Sequence, residues 1–111
     1  MSLSANDLLR HMLDEVDYLL DQRQRSTKDD LLGDPTLQRA FARSIEILGE
    51  AVKQMPHEFR NQHPEVPWKA IAGMRDQLIH RYFAVDLDIV WDVVENHLPP
   101  LRGQLSTLLG A

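Results

Sequence analysis

The chain contains no cysteine, which excludes a disulfide framework and every thiolate metal site and leaves no thiol nucleophile. Long apolar runs are missing too, since none approaches the roughly 18 residues that a membrane-spanning helix needs. The stretch from Met1 to Val16 lacks the basic start and apolar middle of a secretory signal, so the expected location is cytoplasmic. Period-two alternation never persists long enough to make a strand, and there are no repeats or low-complexity tracts. Positive charge is scarce: 12 Lys and Arg against 17 Asp and Glu give a net charge of −5, with an isoelectric point near 5.4. Affinity for nucleic acid comes largely from cationic contacts to phosphate, and this surface as a whole repels polyanions. Any polyanion handled here must meet a locally positive cleft or be bound with low affinity.

What is present is an ordinary globular composition, 43% hydrophobic and 26% charged over 111 residues. That length predicts one domain, 1–111, with no room for a separate cofactor-binding unit. A chain this short leaves apolar surface uncovered, which favours association with a partner or with itself. From Leu3 to about Arg23, Leu9, Met12, Leu13, Val16, Leu19 and Leu20 recur at helical spacing, with Asp14, Glu15, Asp17 and Asp21 opposite. Ser4 or Asn6 is placed to cap this helix. Gln24 to Gly33 shows no periodicity and reads as a loop.

Asp34-Pro35 pairs an N-cap acid with proline at the first helical position. Leu37, Phe41, Ile45, Leu48, Val52 and Met55 then form a second apolar stripe, with Ala40, Ser44 and Ala51 small enough to admit a neighbouring helix. His57 to Pro64 reads as a polar connection with one short turn. Pro67 opens a third long helix reaching about Phe83, Asp86 caps a fourth, and Pro99-Pro100 ends that one and starts a last short helix closing at Gly110. The predicted fold is all-α, an up-and-down bundle of four to five helices.

The third long helix concentrates chemistry. Trp68, Ile71, Ala72, Met74, Leu78, Ile79, Tyr82 and Phe83 cover a broad apolar arc, and Arg75 falls in its middle. A guanidinium there must reach a phosphate, a solvated cleft or a bundle acid such as Glu46 or Glu50. His80 stands about 140° from Arg75 on an ideal helix, so one straight helix does not point both at one ligand, and a kink or a second copy must intervene. Asp76, four residues before His80, is placed either to orient the imidazole or to form a surface ion pair with it. Tyr82 shares the face of Arg75 and, alone, reads as an amphipathic core residue.

Together these residues resemble a known family. Arg75-Asp-Gln-Leu-Ile-His80-Arg-Tyr82 is similar to the R-x4-H-x-Y signature of HepT toxins within the HEPN superfamily. Gly49-Glu50-Ala51 resembles the family's GEA segment, Pro64-Glu-Val-Pro67-Trp68 its P-x-x-P-W block, and Phe83-Ala-Val-Asp86 with Trp91 the stretch that follows. Arg81 departs from the small residue, commonly glycine, that the family places between His and Tyr; it either narrows the cleft or adds a phosphate contact.

The resemblance implies an HEPN-like bundle acting as a homodimer: a metal-independent RNA endonuclease, with no cofactor, from a type II toxin–antitoxin pair. It implies that His80 takes the proton of a ribose 2′-OH, that Arg75 holds the phosphate, and that Asp76 positions His80. It further implies a partner, a minimal nucleotidyltransferase antitoxin that adenylylates (AMPylates) Tyr82. An alternative from another class is a non-catalytic helical docking or substrate-binding subunit of a nucleotidyltransferase, which suits the acidic surface; a third is a plain helical dimer. A metal enzyme fits less well, because His11, His57, His63, His80 and His97 are scattered and no H-E-x-x-H occurs. His97 reads as cap-like near a helix end, His57 and His63 as loop surface, and Trp68 and Trp91 as core or interface anchors.

Overall fold

The computed structural model describes residues 3–80 and 86–110, with Ile79 and His80 through their backbone alone. Its elements are α1 (Ala5–Arg25), α2 (Lys28–Gly33), α3 (Pro35–Gln54), α4 (His57–Gln62), α5 (Trp68–His80), α6 (Leu87–Asp92), a π-helical turn (Val93–His97) and α7 (Leu98–Leu109). The described residues form no strand. The all-α bundle expected from periodicity is what forms, on four long units: α1, α3, α5 and the run from α6 to α7.

Local chemistry sets most boundaries. Ser4 caps α1 in a reciprocal box with Asp7, and Asp34 accepts from Thr36 and Leu37 ahead of Pro35. Asp86 accepts from Asp88 and Ile89 to start α6, and Gly110 ends α7 at φ 73, the left-handed conformation that glycine adopts freely. Pro67 lies one residue before α5 rather than inside it, and its carbonyl receives the Ile71 N–H.

Helix α1 packs between α3 and α7, and α3 packs in turn on α5. The stripes read from the sequence meet in one core: Leu9, Met12, Val16 and Leu19 from α1, with Phe41, Ile45, Leu48 and Val52 from α3. Each such side chain, fully buried, contributes about 1.5–3 kcal/mol. Ser44 is buried, and its hydroxyl bonds Glu15 Oε1 at 2.8 Å, joining α3 to α1. Gln104 Nε2 donates to the Glu65 carbonyl at 2.8 Å and ties α7 to the segment leading into α5.

Two expectations are corrected. Gln24 to Gly33 is not a loop: α1 runs to Arg25, and Thr27 and Asp30 form a capping box that opens α2. Leu31, fully buried, anchors that single turn, while Lys28 bonds Asp88 at 2.8 Å and fastens it to α6. Nor do Pro99 and Pro100 separate two helices. Without N–H groups they cannot bond the carbonyls four residues back, and in an α-helix their rings clash there. The chain widens instead into the π turn, where Leu98 N–H bonds the Val93 carbonyl, and helical backbone continues into α7. The expected end of the third long helix near Phe83 lies outside the described residues. No helix among the described residues is long and apolar enough to cross a membrane.

Candidate active site

Helices α3 and α5 cross where Gly49 faces Arg75. A Cβ on residue 49 would stand 2.2 Å from Arg75 Cβ and 3.2 Å from the Ile71 carbonyl oxygen. No side chain fits there, so glycine lets the arginine stem lie directly across α3. The next residue completes the arrangement: Glu50 Oε2 is 2.9 Å from Arg75 Nη2. One turn beyond Gly49, Lys53 Nζ bonds Asp76 Oδ1 at 2.5 Å, and the same oxygen accepts from Arg75 Nη1 at 3.2 Å.

Glu50, Arg75, Asp76 and Lys53 thus form one chain of alternating charge bridging the two helices. All four are partly exposed, and ion pairs of that kind each contribute at most about 1 kcal/mol. The network's consequence is geometric: it fixes the direction of the guanidinium. Among the described residues, one of the five N–H donors of Arg75 bonds Asp76 and a second nitrogen pairs with Glu50, and the side chain keeps 26% of its surface exposed. The Lys53 hydrogen bond, reinforced by Arg75, holds the Asp76 carboxyl below the ordinary aspartate range. Beside Arg75 lies a groove of about 480 Å³ between α1, α3 and α5, lined in part by His11, Arg43, Glu46 and Glu50.

Of the residues singled out from the sequence, Arg75 and Asp76 are brought into direct contact. Of the two bundle acids offered as partners for Arg75, Glu50 takes the role and Glu46 pairs with Arg43 at 3.4 Å. Asp76 directs its Oδ1 toward Lys53 and Arg75. His80 follows it by one turn of α5, but the His80 side chain, Arg81 and Tyr82 lie outside the described residues. Lys53 and the steric role of Gly49 escaped the sequence reading, although Gly49 stood in the G-E-A segment; only the helix crossing reveals what the glycine makes room for.

Trp68 is an anchor as expected, buried, with its indole N–H on the His63 carbonyl at 2.8 Å. His63 lies in the loop after α4 as expected, but it is half-buried rather than surface, with its ring centroid 4.5 Å from that of Phe59. His97 caps nothing, because the helix continues past it; its Nε2 lies 3.3 Å from Asp92. Among the described residues no three His, Asp or Glu side chains gather as a metal site would require.

An all-α bundle with an arginine fixed across a helix crossing, and a histidine position five residues further along the same helix, is the frame of an HEPN-like domain. The chain belongs to the HepT-like ribonuclease family: the family model described as "Ribonuclease HepT-like" matches residues 9–108. It is 48% identical over 101 residues to "Putative RNase TTE0752" of Caldanaerobacter subterraneus subsp. tengcongensis, covering 91% of this chain and 90% of that one. It is 45% identical to "Putative RNase MJ0127" of Methanocaldococcus jannaschii, over 84% of this chain and 74% of the relative. With "Probable ribonuclease HepT" of Thermococcus cleftensis it shares 37% identity, over 97% of this chain and 98% of the other. No solved structure matches the chain significantly.

Proposed function

We propose that this protein is a metal-independent endoribonuclease, the toxin of a toxin–antitoxin pair, which cleaves RNA in a cleft between two copies of itself. The observation that carries the reading is the anchored Arg75, held across Gly49 by Glu50 and Asp76 beside an open groove. A guanidinium fixed in direction, with N–H donors to spare among its described contacts, suits a phosphodiester.

In this mechanism His80 removes the proton from a ribose 2′-OH, and the freed oxygen attacks the adjacent phosphorus. The P–O5′ bond breaks, and His80 in its protonated form, or the partner's His80, returns a proton to the departing 5′-oxygen. The products are a 2′,3′-cyclic phosphate and a 5′-hydroxyl. Arg75 offsets the charge that builds on the phosphate oxygens. Asp76 acts as a positioning residue: pinned by Lys53, it fixes the turn of α5 that carries both catalytic residues. An imidazole can both accept and donate a proton, which suits the two transfers.

Purified protein kept in EDTA is expected to cut RNA and leave 2′,3′-cyclic phosphate ends, read by mass spectrometry of the fragments. Ends bearing 3′-hydroxyls, or loss of cleavage on chelation, would overturn the mechanism. Tyr82 is proposed as the control point. Its phenolic oxygen attacks the α-phosphorus of ATP on a nucleotidyltransferase antitoxin, pyrophosphate leaves, and the AMP ester fills the cleft with bulk and negative charge. Peptide mass spectrometry after incubation with antitoxin and ATP is expected to place AMP on Tyr82. Neutralisation with Tyr82 unmodified would point instead to simple blocking. The acidic surface favours a second reading, a docking subunit without catalysis; growth arrest that depends on His80 decides for the nuclease, and harmless expression for the subunit.

A further inference from the structure

Seven Lys and Arg side chains among the described residues already sit in ion pairs with carboxylates. Arg10, Arg39, Arg60 and Lys69 do not. Two of those four, Arg60 from α4 and Lys69 from the first turn of α5, line a single concavity of about 690 Å³. His57 and Asn61 join them, the buried Val66 and Trp68 back the space, and among its described lining residues there is no carboxylate. In an acidic protein, two unpaired cations sharing one hollow make a local exception to the field that repels polyanions.

Helical register links this hollow to the cleavage centre. Lys69, Gly73, Asp76 and His80 are spaced four, three and four residues apart, so their positions fall on one stripe of α5. From Lys69 to His80 the stripe rises about 16 Å. Midway, Gly73 leaves it bare: among the described residues, nothing lies within 4 Å of where a Cβ would stand. A glycine inside a helix costs about 1 kcal/mol against alanine, and here no neighbouring side chain occupies the space that it leaves.

We propose that the Arg60–Lys69 concavity is a second contact for the RNA phosphodiester backbone, and that the strand reaches it from the scissile bond along the Gly73 stripe of α5. The inference deepens the ribonuclease reading and rests on it. It explains how a chain of net charge −5 holds a polyanion: the contact is concentrated in one track rather than spread over the surface. Arg60 and Lys69 bind substrate away from the reacting bond and are not catalytic.

The test uses a fluorescent 2′-O-methylated RNA dodecamer, which lacks the nucleophile and so reports binding alone. Arg60→Gln/Lys69→Gln is expected to raise Kd about tenfold and to reduce the slope of log K against log salt by about 1.4, or 0.7 per lost phosphate contact on a single strand. Arg39→Gln, which removes an unpaired charge elsewhere, is expected to leave both unchanged. With cleavable RNA, the gain in kcat/KM on lengthening a dinucleotide to a dodecamer should shrink in the double variant. The proposal is overturned if the double variant binds like the wild type, if Arg39→Gln weakens binding equally, or if the wild type binds no RNA. Loss of nucleotidyltransferase binding with RNA affinity intact would also overturn it, marking the hollow as a protein-docking surface. A wild type that binds the dodecamer through this hollow yet cleaves nothing would leave the contact standing and remove the nuclease reading alone.

Discussion

His80→Ala is expected to lower the rate of RNA cleavage by roughly 10²–10⁴-fold, the usual contribution of a positioned general acid–base. If one imidazole serves both proton transfers, the loss falls at the upper end of that range. The substitution exchanges a moderate helix former for the best one, so the backbone of α5 tolerates it. Circular dichroism and the thermal midpoint should stay close to wild type while cleavage collapses, separating a chemical loss from a folding loss. Arg75→Ala should approach the same defect by a different route, through lost stabilisation of the phosphate charge. It also leaves Glu50 without the arginine that sits 2.9 Å away, so some loss of stability accompanies it. A folded His80→Ala protein that cleaves RNA at the wild-type rate would remove His80 from the mechanism.

Gly49→Ala carries the second large effect, and its sign runs against intuition. Alanine in place of glycine inside a helix ordinarily stabilises by about 1 kcal/mol. At this position the new Cβ would meet Arg75 Cβ at 2.2 Å and Arg75 Cγ at 3.0 Å. Those are stem atoms, which no rotation of the guanidinium moves away, so α3 and α5 must separate. Overpacking of this kind costs about 1–3 kcal/mol, enough to outweigh the propensity gain. Separation also draws Arg75 away from Glu50 and loosens the Lys53–Asp76 link, and a misplacement near 1 Å at a reacting centre costs about 10²-fold in rate. Denaturant unfolding and an RNA cleavage assay on the same sample measure both consequences. Gly103→Ala in α7 is the matched control, because a Cβ there meets nothing within 4 Å among the described residues and should stabilise the helix. A Gly49→Ala protein as stable and as active as wild type would show that the crossing does not govern Arg75.

Much of the architecture was legible because its causes are local. The apolar stripes of α1 and α3, the Asp34-Pro35 start and the Asp86 cap are decided within a turn or two of chain, where spacing and hydrogen-bonding capacity suffice. The same local grammar was present but overlooked at Thr27-Lys-Asp-Asp30, where a capping box and the buried Leu31 make a helix out of an apparent loop. The proline pair misled for the opposite reason. A missing N–H normally ends a helix, but the π turn moved the donors one residue along the chain and let the backbone continue.

By itself, then, the sequence determined an all-α bundle, the membership of Arg75, Asp76 and His80 in one helix, and the resemblance carried by R-x4-H-x-Y. Only the tertiary structure decided that Glu50 rather than Glu46 receives Arg75, that Lys53 takes Asp76, and that Gly49 exists to let the arginine pass. It alone brought Arg60 and Lys69 to one hollow, with no carboxylate among its described lining residues. The physical reason is range. Periodicity and capping act between residues a few positions apart, whereas Lys53 and Asp76 stand 23 positions apart and meet only because two helices cross at a glycine.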